Sequence, residues 1–219
     1  MTTLEKIKKN KDINTYIVMA DKSMAALGFT EHSFAHVGKV SETAKYILET
    51  LGYDAHSIEL VQIAAFMHDI GNLVNRQEHA QSGAIMAFRI LSALELPAED
   101  VATITTAIGN HDEGTGVAVN AIAAALIIAD KTDVRRSRVR NTDIASFDIH
   151  DRVNYSVTES DLEIDTEKKR ILLKLTVDTK YSSIMDYFEI FLVRMSMCRK
   201  AAEKLGLRFR LEINDQQLL

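Results

Sequence analysis

The segment AAFMHDIGN, residues 64–72, decides the fold of this chain. An apolar run leads into His68 and Asp69, and Gly71 follows them closely. Neighbouring residues on a helix differ in direction by about 100°, so an adjacent pair faces one point only where the helix ends. We therefore expect a helix that ends at this pair, with both side chains directed at a common site. A carboxylate in that position is able to bridge two metal ions.

Outward from this segment, apolar residues recur with helical spacing over residues 13–140. Gly28 and Gly52 follow two of the apolar stripes as C-terminal cap residues. Pro97 suits the first turn of a later helix, and Asn120 is a suitable N-cap for the helix after it. The pattern predicts a bundle of successive helices.

Beyond about residue 141 the periodicity changes from helical to alternating, which is typical of strands. Residues 162–164 and 171–177 alternate around a polar turn, and a helix over about 183–205 precedes a closing strand at 207–213. We expect a small antiparallel sheet with one helix. Three roles stay open for the closing strand: pairing across a homodimer, covering the mouth of an active site, or bracing the bundle.

Composition excludes several functional classes. The chain has 219 residues, 47% of them apolar, and a formal net charge of −5, which argues against general nucleic-acid binding. A single cysteine, Cys198, cannot build a disulfide framework. The apolar run at 121–129 is about half of the roughly 18 residues that cross a bilayer, and the N-terminal residues lack a secretory signal. A cytoplasmic location away from membranes is expected.

Six histidines and aspartates from five segments form the candidate metal site. Imidazole nitrogen and carboxylate oxygen suit manganese, iron, cobalt, nickel or zinc, whereas magnesium prefers oxygen ligands throughout. His32 precedes His36 by one turn and competes with it, but the alignment of His36 with Val37 and Val40 favours His36. The predicted metal ligands are His36, His68, Asp69, His79, His111 and Asp130.

Three segments in this order resemble the HD family of metal-dependent phosphohydrolases. EHSFAHVGKV (31–40) is similar to the first histidine motif, AAFMHDIGN to the HD signature, and IIADKTDVRR (127–136) to the last aspartate helix. The resemblance implies that His36, His68, Asp69 and Asp130 hold one metal ion. The expected fold is mainly α: an HD-type helical bundle over 1–148 and a small α+β appendage, an antiparallel sheet plus one helix, over 149–219.

Two further segments, QEHAQSGA (77–84) and IGNHDEGTG (108–116), resemble the additional histidine motifs of the branch with two metal ions. That branch includes bacterial dinucleoside-tetraphosphate hydrolases. The resemblance implies that His79 and His111 complete a second site, with Asp69 as the bridge. The alternative is one ion, with both histidines hydrogen-bonded to substrate or water. The expected cofactor is one or two divalent ions, iron or manganese first, then zinc, nickel or cobalt.

Cationic residues near the predicted ligands are candidates for phosphate binding. If the last helix continues past Asp130, its rise of 1.5 Å per residue places Arg135 about 7 to 8 Å along the axis, within reach of an extended side chain. The alternative is a solvated helix end whose arginines complement the helix dipole and pair with nearby aspartates. The predicted substrate-binding residues are Arg76, Lys131, Arg135 and Arg136.

The leading functional hypothesis is hydrolysis of a phosphomonoester or phosphoanhydride of a nucleotide or other small phosphorylated metabolite. His68, Asp69 and Asp130 are the predicted catalytic residues, and a metal-activated hydroxide is the expected nucleophile. Two alternatives stay open. A di-iron HD-type oxygenase uses the same count of four histidines and two aspartates, and a non-catalytic module would sense a nucleotide without turnover.

Overall fold

A computed structural model describes residues 2–218 of the chain. Nine α-helices and four strands lie within these residues. The helices are α1 Thr3–Lys8, α2 Lys11–Ala26, α3 Phe34–Thr50, α4 Ala55–Met67, α5 His79–Ala93, α6 Ala98–Gly109, α7 Ala121–Lys131, α8 Ile149–Ser156 and α9 Ile184–Lys204. The strands are β1 Val157–Asp165, β2 Arg170–Val177, β3 Arg208–Ile213 and β4 Gln216–Gln217. The mainly α architecture with a C-terminal α+β unit is confirmed.

Local sequence signals set the ends of the helices that carry the site. The Ser33 side chain caps α3, and the Asn120 side chain accepts a hydrogen bond from the Ala123 amide at the start of α7. Gly52 has a φ of 76° just after α3, a conformation that residues with a Cβ rarely adopt. These caps confirm the helix ends predicted at Gly52 and Asn120.

The chain turns sharply after α4, where the decisive segment ends. His68 and Asp69 follow the last helical residue, and a short 3₁₀ helix, Ile70–Leu73, leads away. A Cβ at Gly71 would lie 1.9 Å from the carbonyl oxygen of His79, so only glycine permits this approach. The close approach brings the start of α5 beside Asp69.

The C-terminal sheet is mixed, with the order β1-β2-β3-β4. The pair β1/β2 is antiparallel as predicted, and β3 pairs antiparallel with β4, a strand that the sequence did not predict. In contrast, β2 and β3 are parallel, with Leu173 opposite Leu211. The expectation of a wholly antiparallel sheet is therefore wrong for this pair. The cause is helix α9, a crossover connection that returns the chain in the same direction.

The C-terminal unit packs against the helix that ends at the site. Helix α9 lies along α7, and side chains of both, such as Ile128 and Phe191, belong to one continuous apolar core with Leu173 of the sheet. The division at residues 148 and 149 stays a prediction. Within residues 2–218, no helix combines the length and apolar character that a membrane span requires.

Candidate metal centre and cleft

Six predicted ligands meet at one end of the bundle. His36 lies in the first turn of α3, and Asp130 lies in the last turn of α7. His79 begins α5, and His111 follows the end of α6. All four histidines and Asp69 are buried, and Asp130 is partly exposed. Residues separated by almost a hundred positions thus share one site.

Asp69 lies between two pairs of histidines. Its Oδ2 atom is 3.3 Å from His68 Nε2 and 3.5 Å from His36 Nε2. Its Oδ1 atom is 3.5 Å from His79 Nε2 and 3.9 Å from His111 Nε2. Each oxygen of one carboxylate therefore faces a different pair of imidazoles, which is the arrangement that a bridging ligand needs.

Asp130 completes the first of these groups. Its Oδ1 atom is 3.4 Å from His36 Nε2 and 3.7 Å from His68 Nε2. Bonds of about 2.0 to 2.2 Å to a common ion separate neighbouring donor atoms by about 3 to 3.5 Å. The spacing of these donors fits a transition-metal ion.

Several buried atoms of this cluster lack hydrogen-bond partners. They are His36 Nε2, His68 Nε2 and Asp69 Oδ2. Buried polar atoms are almost always paired, so three unpaired atoms directed at one place require an explanation. A cation held there would satisfy all three. The residues present therefore fit a metal ion.

The opposite nitrogen of each histidine ring contacts an acceptor. An acceptor at Nδ1 holds a proton on that nitrogen, so Nε2 directs its lone pair at the centre in each ring that is neutral. The Nδ1 partners, at 2.6 to 3.0 Å, are the Asp133 carboxylate for His36 and the carbonyl oxygens of Ala65 for His68, Arg76 for His79 and Ile108 for His111.

Asp133 is a site residue that sequence reasoning missed. Its Oδ2 atom lies 2.7 Å from His36 Nδ1, and its Oδ1 atom accepts a hydrogen bond from Arg135 Nε at 2.8 Å. Burial alone would raise the pKa of Asp133, but the hydrogen bond to His36 and the charge of Arg138 outweigh burial and lower it. The only signal in the sequence was a second aspartate three residues after Asp130.

The charges of His68 and Asp69 reinforce each other. Burial alone would lower the pKa of His68, but the carboxylates of Asp69 and Asp130 outweigh it and raise that pKa to about 10. Burial alone would raise the pKa of Asp69, yet His68 holds it well below its ordinary value. Without a metal ion, an imidazolium pairs with two carboxylates. A metal ion has to replace that proton.

His79 and His111 have different electrostatic surroundings. Their Nε2 atoms are 3.2 Å apart, and Arg76 Nη1 lies 3.2 Å from His79 Nε2. Burial lowers the pKa of both histidines, and the charges of Arg76 near His79 and His68 near His111 lower it further. Both rings are therefore neutral near pH 7 and offer lone pairs to the centre.

A cleft of about 370 Å³ opens above this cluster. Asp69, Asp130 and Lys131 line its buried end, and Arg76 and Arg194 also line it. Small-molecule sites range from about 300 to 1,000 Å³. The cleft therefore has room for a small metabolite.

Lys131 and Arg194 form a charge network beside the cluster. Lys131 Nζ lies 2.8 Å from Asp130 Oδ2 and 3.3 Å from Glu113 Oε1, and Arg194 Nε lies 2.6 Å from the same Glu113 oxygen. Arg194 belongs to α9 and was not predicted from the sequence. It lies outside the segments that resemble the HD motifs, so no motif marks it.

Two of the four predicted substrate-binding residues lie outside the cleft. Arg76 and Lys131 line it, but α7 ends at Lys131, so the predicted helical extension to Arg135 is wrong. Arg135 pairs with Asp133 and with Glu31. Arg136 Nε donates a hydrogen bond to the carbonyl oxygen of Tyr155. Its Cζ atom lies 4.4 Å from the centre of the Tyr155 ring. The structure does not bring these two arginines to the metal cluster.

His32 lines the cleft but does not replace His36. Its Nδ1 atom is 2.7 Å from the carbonyl oxygen of Thr30, and its ring centre is 5.6 Å from that of His36. The cluster of donors within 4.8 Å of one another contains His36, with His68 and Asp130. His36, which sequence reasoning favoured over His32, is therefore the histidine that lies with the other candidate ligands.

Comparison with known protein families agrees with this geometry. The HD domain family matches residues 33–147, which is more than half of the chain and includes all six predicted ligands. This chain belongs to the HD domain family. Helices α8 and α9 and the sheet lie beyond the matched residues.

Two other proteins are similar to this HD chain over part of its length. "Uncharacterized protein MJ1020" of Methanocaldococcus jannaschii is 27% identical to this chain, and the match covers 75% of this chain and 72% of the relative. A crystal structure of a predicted HD superfamily hydrolase from an uncultured Thermotogales bacterium is 25% identical. It covers 62% of this chain and 75% of its own, with a TM-score of 0.45.

Proposed function

We propose that this HD protein is a metal-dependent phosphohydrolase that cleaves a phosphomonoester or phosphoanhydride of a small phosphorylated metabolite. The observation that carries the proposal is the buried Asp69 carboxylate, whose two oxygens face two pairs of histidine Nε2 atoms. A cleft lined by cationic side chains adjoins it. Metal donors and phosphate-binding groups thus occur in one place.

The donors divide into two sets that share Asp69. His36, His68 and Asp130 would hold one ion, and His79 and His111 a second. Imidazoles combined with carboxylates favour iron or manganese, with zinc, nickel or cobalt as alternatives. Divalent ions there would lower the pKa of a bound water and neutralise charge on the phosphoryl oxygens.

The chain's own residues orient the donors and receive the phosphate. Asn72 Nδ2 donates to Asp69 Oδ1 at 2.9 Å and fixes the rotation of that carboxylate. Lys131 contacts Asp130 Oδ2, which leaves Oδ1 directed at His36 and His68. Arg76, Lys131 and Arg194 provide positive charge for phosphate oxygens in the cleft. His68, Asp69 and Asp130 remain the proposed catalytic residues.

The partner proposed for this site is therefore a small phosphorylated substrate rather than a nucleic acid. The net charge of −5 and the limited volume of the cleft support that choice. The cytoplasmic location and the homodimer stay predictions from the sequence.

The experiment compares wild type with Asp69→Asn in a phosphate-release screen over nucleotides and sugar phosphates. Protein purified without chelators is analysed for metal and assayed with Mn²⁺ in the absence of dioxygen. We expect release by wild type and a loss of about a thousandfold or more in Asp69→Asn, because both donor sets lose their shared carboxylate. Asp100→Asn, which changes a surface carboxylate paired with His56, is the matched control.

Three outcomes would contradict the proposal. Equal release by wild type and Asp69→Asn would remove the cluster from catalysis. A reaction that requires dioxygen and iron would favour the oxygenase alternative. Nucleotide binding without any turnover would favour a sensing module.

A further inference from the structure

The cleft has walls from two sources. The HD match ends at residue 147, but α8 and α9 and the cap residue of α8 supply Asp148, Asp151, Asn154, Phe191 and Arg194 to the lining. Part of the cleft lining is therefore supplied by the C-terminal unit. Any selectivity that arises from these residues belongs to a part of the chain outside the family match.

Cations line the cleft beside the metal donors, and two carboxylates line it toward solvent. At the buried end, Lys131 accompanies the metal donors, and the half-buried Arg194 shares the Glu113 carboxylate with it. Toward solvent, the exposed Asp148 and the half-buried Asp151 line the same cleft. Metal ions bound at the cluster would make the buried end more positive and so enlarge this difference. A phosphate group would then be favoured at the metals and disfavoured beside Asp148 and Asp151.

The two carboxylates at the mouth are held in place. Asp148 caps α8 and accepts a hydrogen bond from the Asp151 amide at 2.8 Å. Asp151 accepts a hydrogen bond from Asn141 Nδ2 at 3.3 Å. Ordered carboxylates are suitable acceptors for the hydroxyl groups of a sugar, as they are for a ribose in dinucleotide-binding sites.

The cleft also has an apolar part. Leu27 is 63% exposed and Phe29 is 42% exposed, and both line the cleft near its mouth. Arg76 lies 5.8 Å from the centre of the Phe29 ring. A ring with one apolar face and several hydroxyl groups would contact Phe29 through that face and the two carboxylates through its hydroxyl groups.

We infer that Asp148 and Asp151 determine the substrate specificity of the cleft: they favour a phosphomonoester whose remaining part is uncharged and hydroxylated, and they disfavour one that carries another phosphate at its far end. The inference rests on the proposed function because it places the reacting phosphate at the metal cluster. It concerns the other end of the substrate, however, and so has a separate test.

The test is calorimetric binding to the full-length chain loaded with Mn²⁺. One pair of probes is glucose 6-phosphate and glucose 1,6-bisphosphate, and the second is adenosine 5′-monophosphate and adenosine 3′,5′-bisphosphate. Members of a pair differ by one phosphate far from the first. We expect wild type to bind each monophosphate about tenfold more tightly than its bisphosphate, because the second phosphate meets two carboxylates.

Asp148→Asn and Asp151→Asn remove the charges with little change in shape, and asparagine preserves the cap of α8. Each variant is expected to reduce the ratio of affinities about threefold, and the double variant is expected to bring it close to one. Asp161→Asn, an exposed carboxylate on β1, is the control and should leave the ratio unchanged. Equal melting temperatures of these variants and wild type would show that the fold is intact.

Equal binding of both members of each pair by wild type would overturn the inference. So would a double variant with an unchanged ratio, or failure of wild type to bind any of the four probes. If the ratios behave as expected but no probe is hydrolysed with any metal ion, the specificity inference stands and the proposed hydrolysis fails. If probes are hydrolysed but the double variant keeps the wild-type ratio, the hydrolysis stands and the specificity inference fails.

Discussion

The two halves of the metal cluster are supported in different ways. His36 is held by a buried carboxylate, Asp133, and faces two further carboxylates, Asp69 and Asp130. His79 and His111 are held by backbone carbonyls and share the Asp69 carboxylate, with the Arg76 guanidinium 3.2 Å from His79. Three carboxylates contact the first half, whereas Asp69 and Asp112 contact the second, so we expect the first half to bind its ion more tightly.

The largest expected effect separates the two halves directly. His36→Ala should lose most bound metal and about a thousandfold in phosphate release, because the first half also positions the bridging Asp69. His79→Ala should retain about one ion per chain, since the ligands of the first half remain. Metal analysis after gel filtration measures both. Equal retention by the two variants would show that the halves are equivalent.

Removal of the support behind His36 should have the next largest effect. Asp133→Asn keeps the size of the side chain but weakens the acceptor at His36 Nδ1, so metal affinity should fall about 10- to 100-fold. Competition with a chromophoric chelator measures that affinity. Asp143→Asn, at an exposed position after α7, is the control. Unchanged affinity in Asp133→Asn would remove it as a positioning residue.

The pH dependence of metal binding should reflect the proton on His68. The pKa of this group is raised to about 10 in the metal-free site, so metal binding releases its proton at lower pH. Affinity should therefore rise about tenfold per pH unit between about pH 7 and pH 9. The pKa values of Asp69 and Asp130 are lowered, so both carboxylates stay ionised between pH 7 and pH 9 and do not change the dependence of metal affinity on pH. Affinity independent of pH would contradict this assignment.

The smallest effects should distinguish arginines inside and outside the cleft. Arg76→Gln and Arg194→Gln should each lower kcat/KM about tenfold, mainly through KM, because each removes a charged donor to phosphate. Arg136→Gln should change kcat/KM by about twofold or less, since Arg136 contacts Tyr155 instead. Steady-state kinetics on the best substrate of the screen would decide. A large loss in Arg136→Gln would restore the prediction made from the sequence.

The group of candidate ligands was predictable in part because His68 and Asp69 lie at a helix end that the sequence marks. Gly71 follows His68 and Asp69, and Asn120 begins the helix that carries Asp130. The resemblance to the HD family added the order of the motifs, and the family match confirms membership of that family. Local signals and the family resemblance together predicted this group of residues, and their role as metal ligands stays a prediction.

Three other features of the structure have no signal in the neighbouring sequence: the pairing of β2 with β3, the end of α7 and the position of Arg194. Alternation of apolar and polar residues is the same in parallel and antiparallel strands, so the pairing of β2 with β3 depended on the path of α9. The basic residues after Lys131 are compatible with a longer helix, yet Asp133 and Arg138 take part in contacts beyond its end. Arg194 reaches the cleft only because α9 packs along α7. Each of these depends on tertiary packing.

The most direct test of the bridging role of Asp69 is titration of metal-free protein with Mn²⁺, with bound ions counted by equilibrium dialysis. We expect two ions per chain in wild type, the first bound more tightly, and at most one in Asp69→Asn. A wild-type chain that saturates with a single ion, or an Asp69→Asn chain that still binds two, would contradict that role.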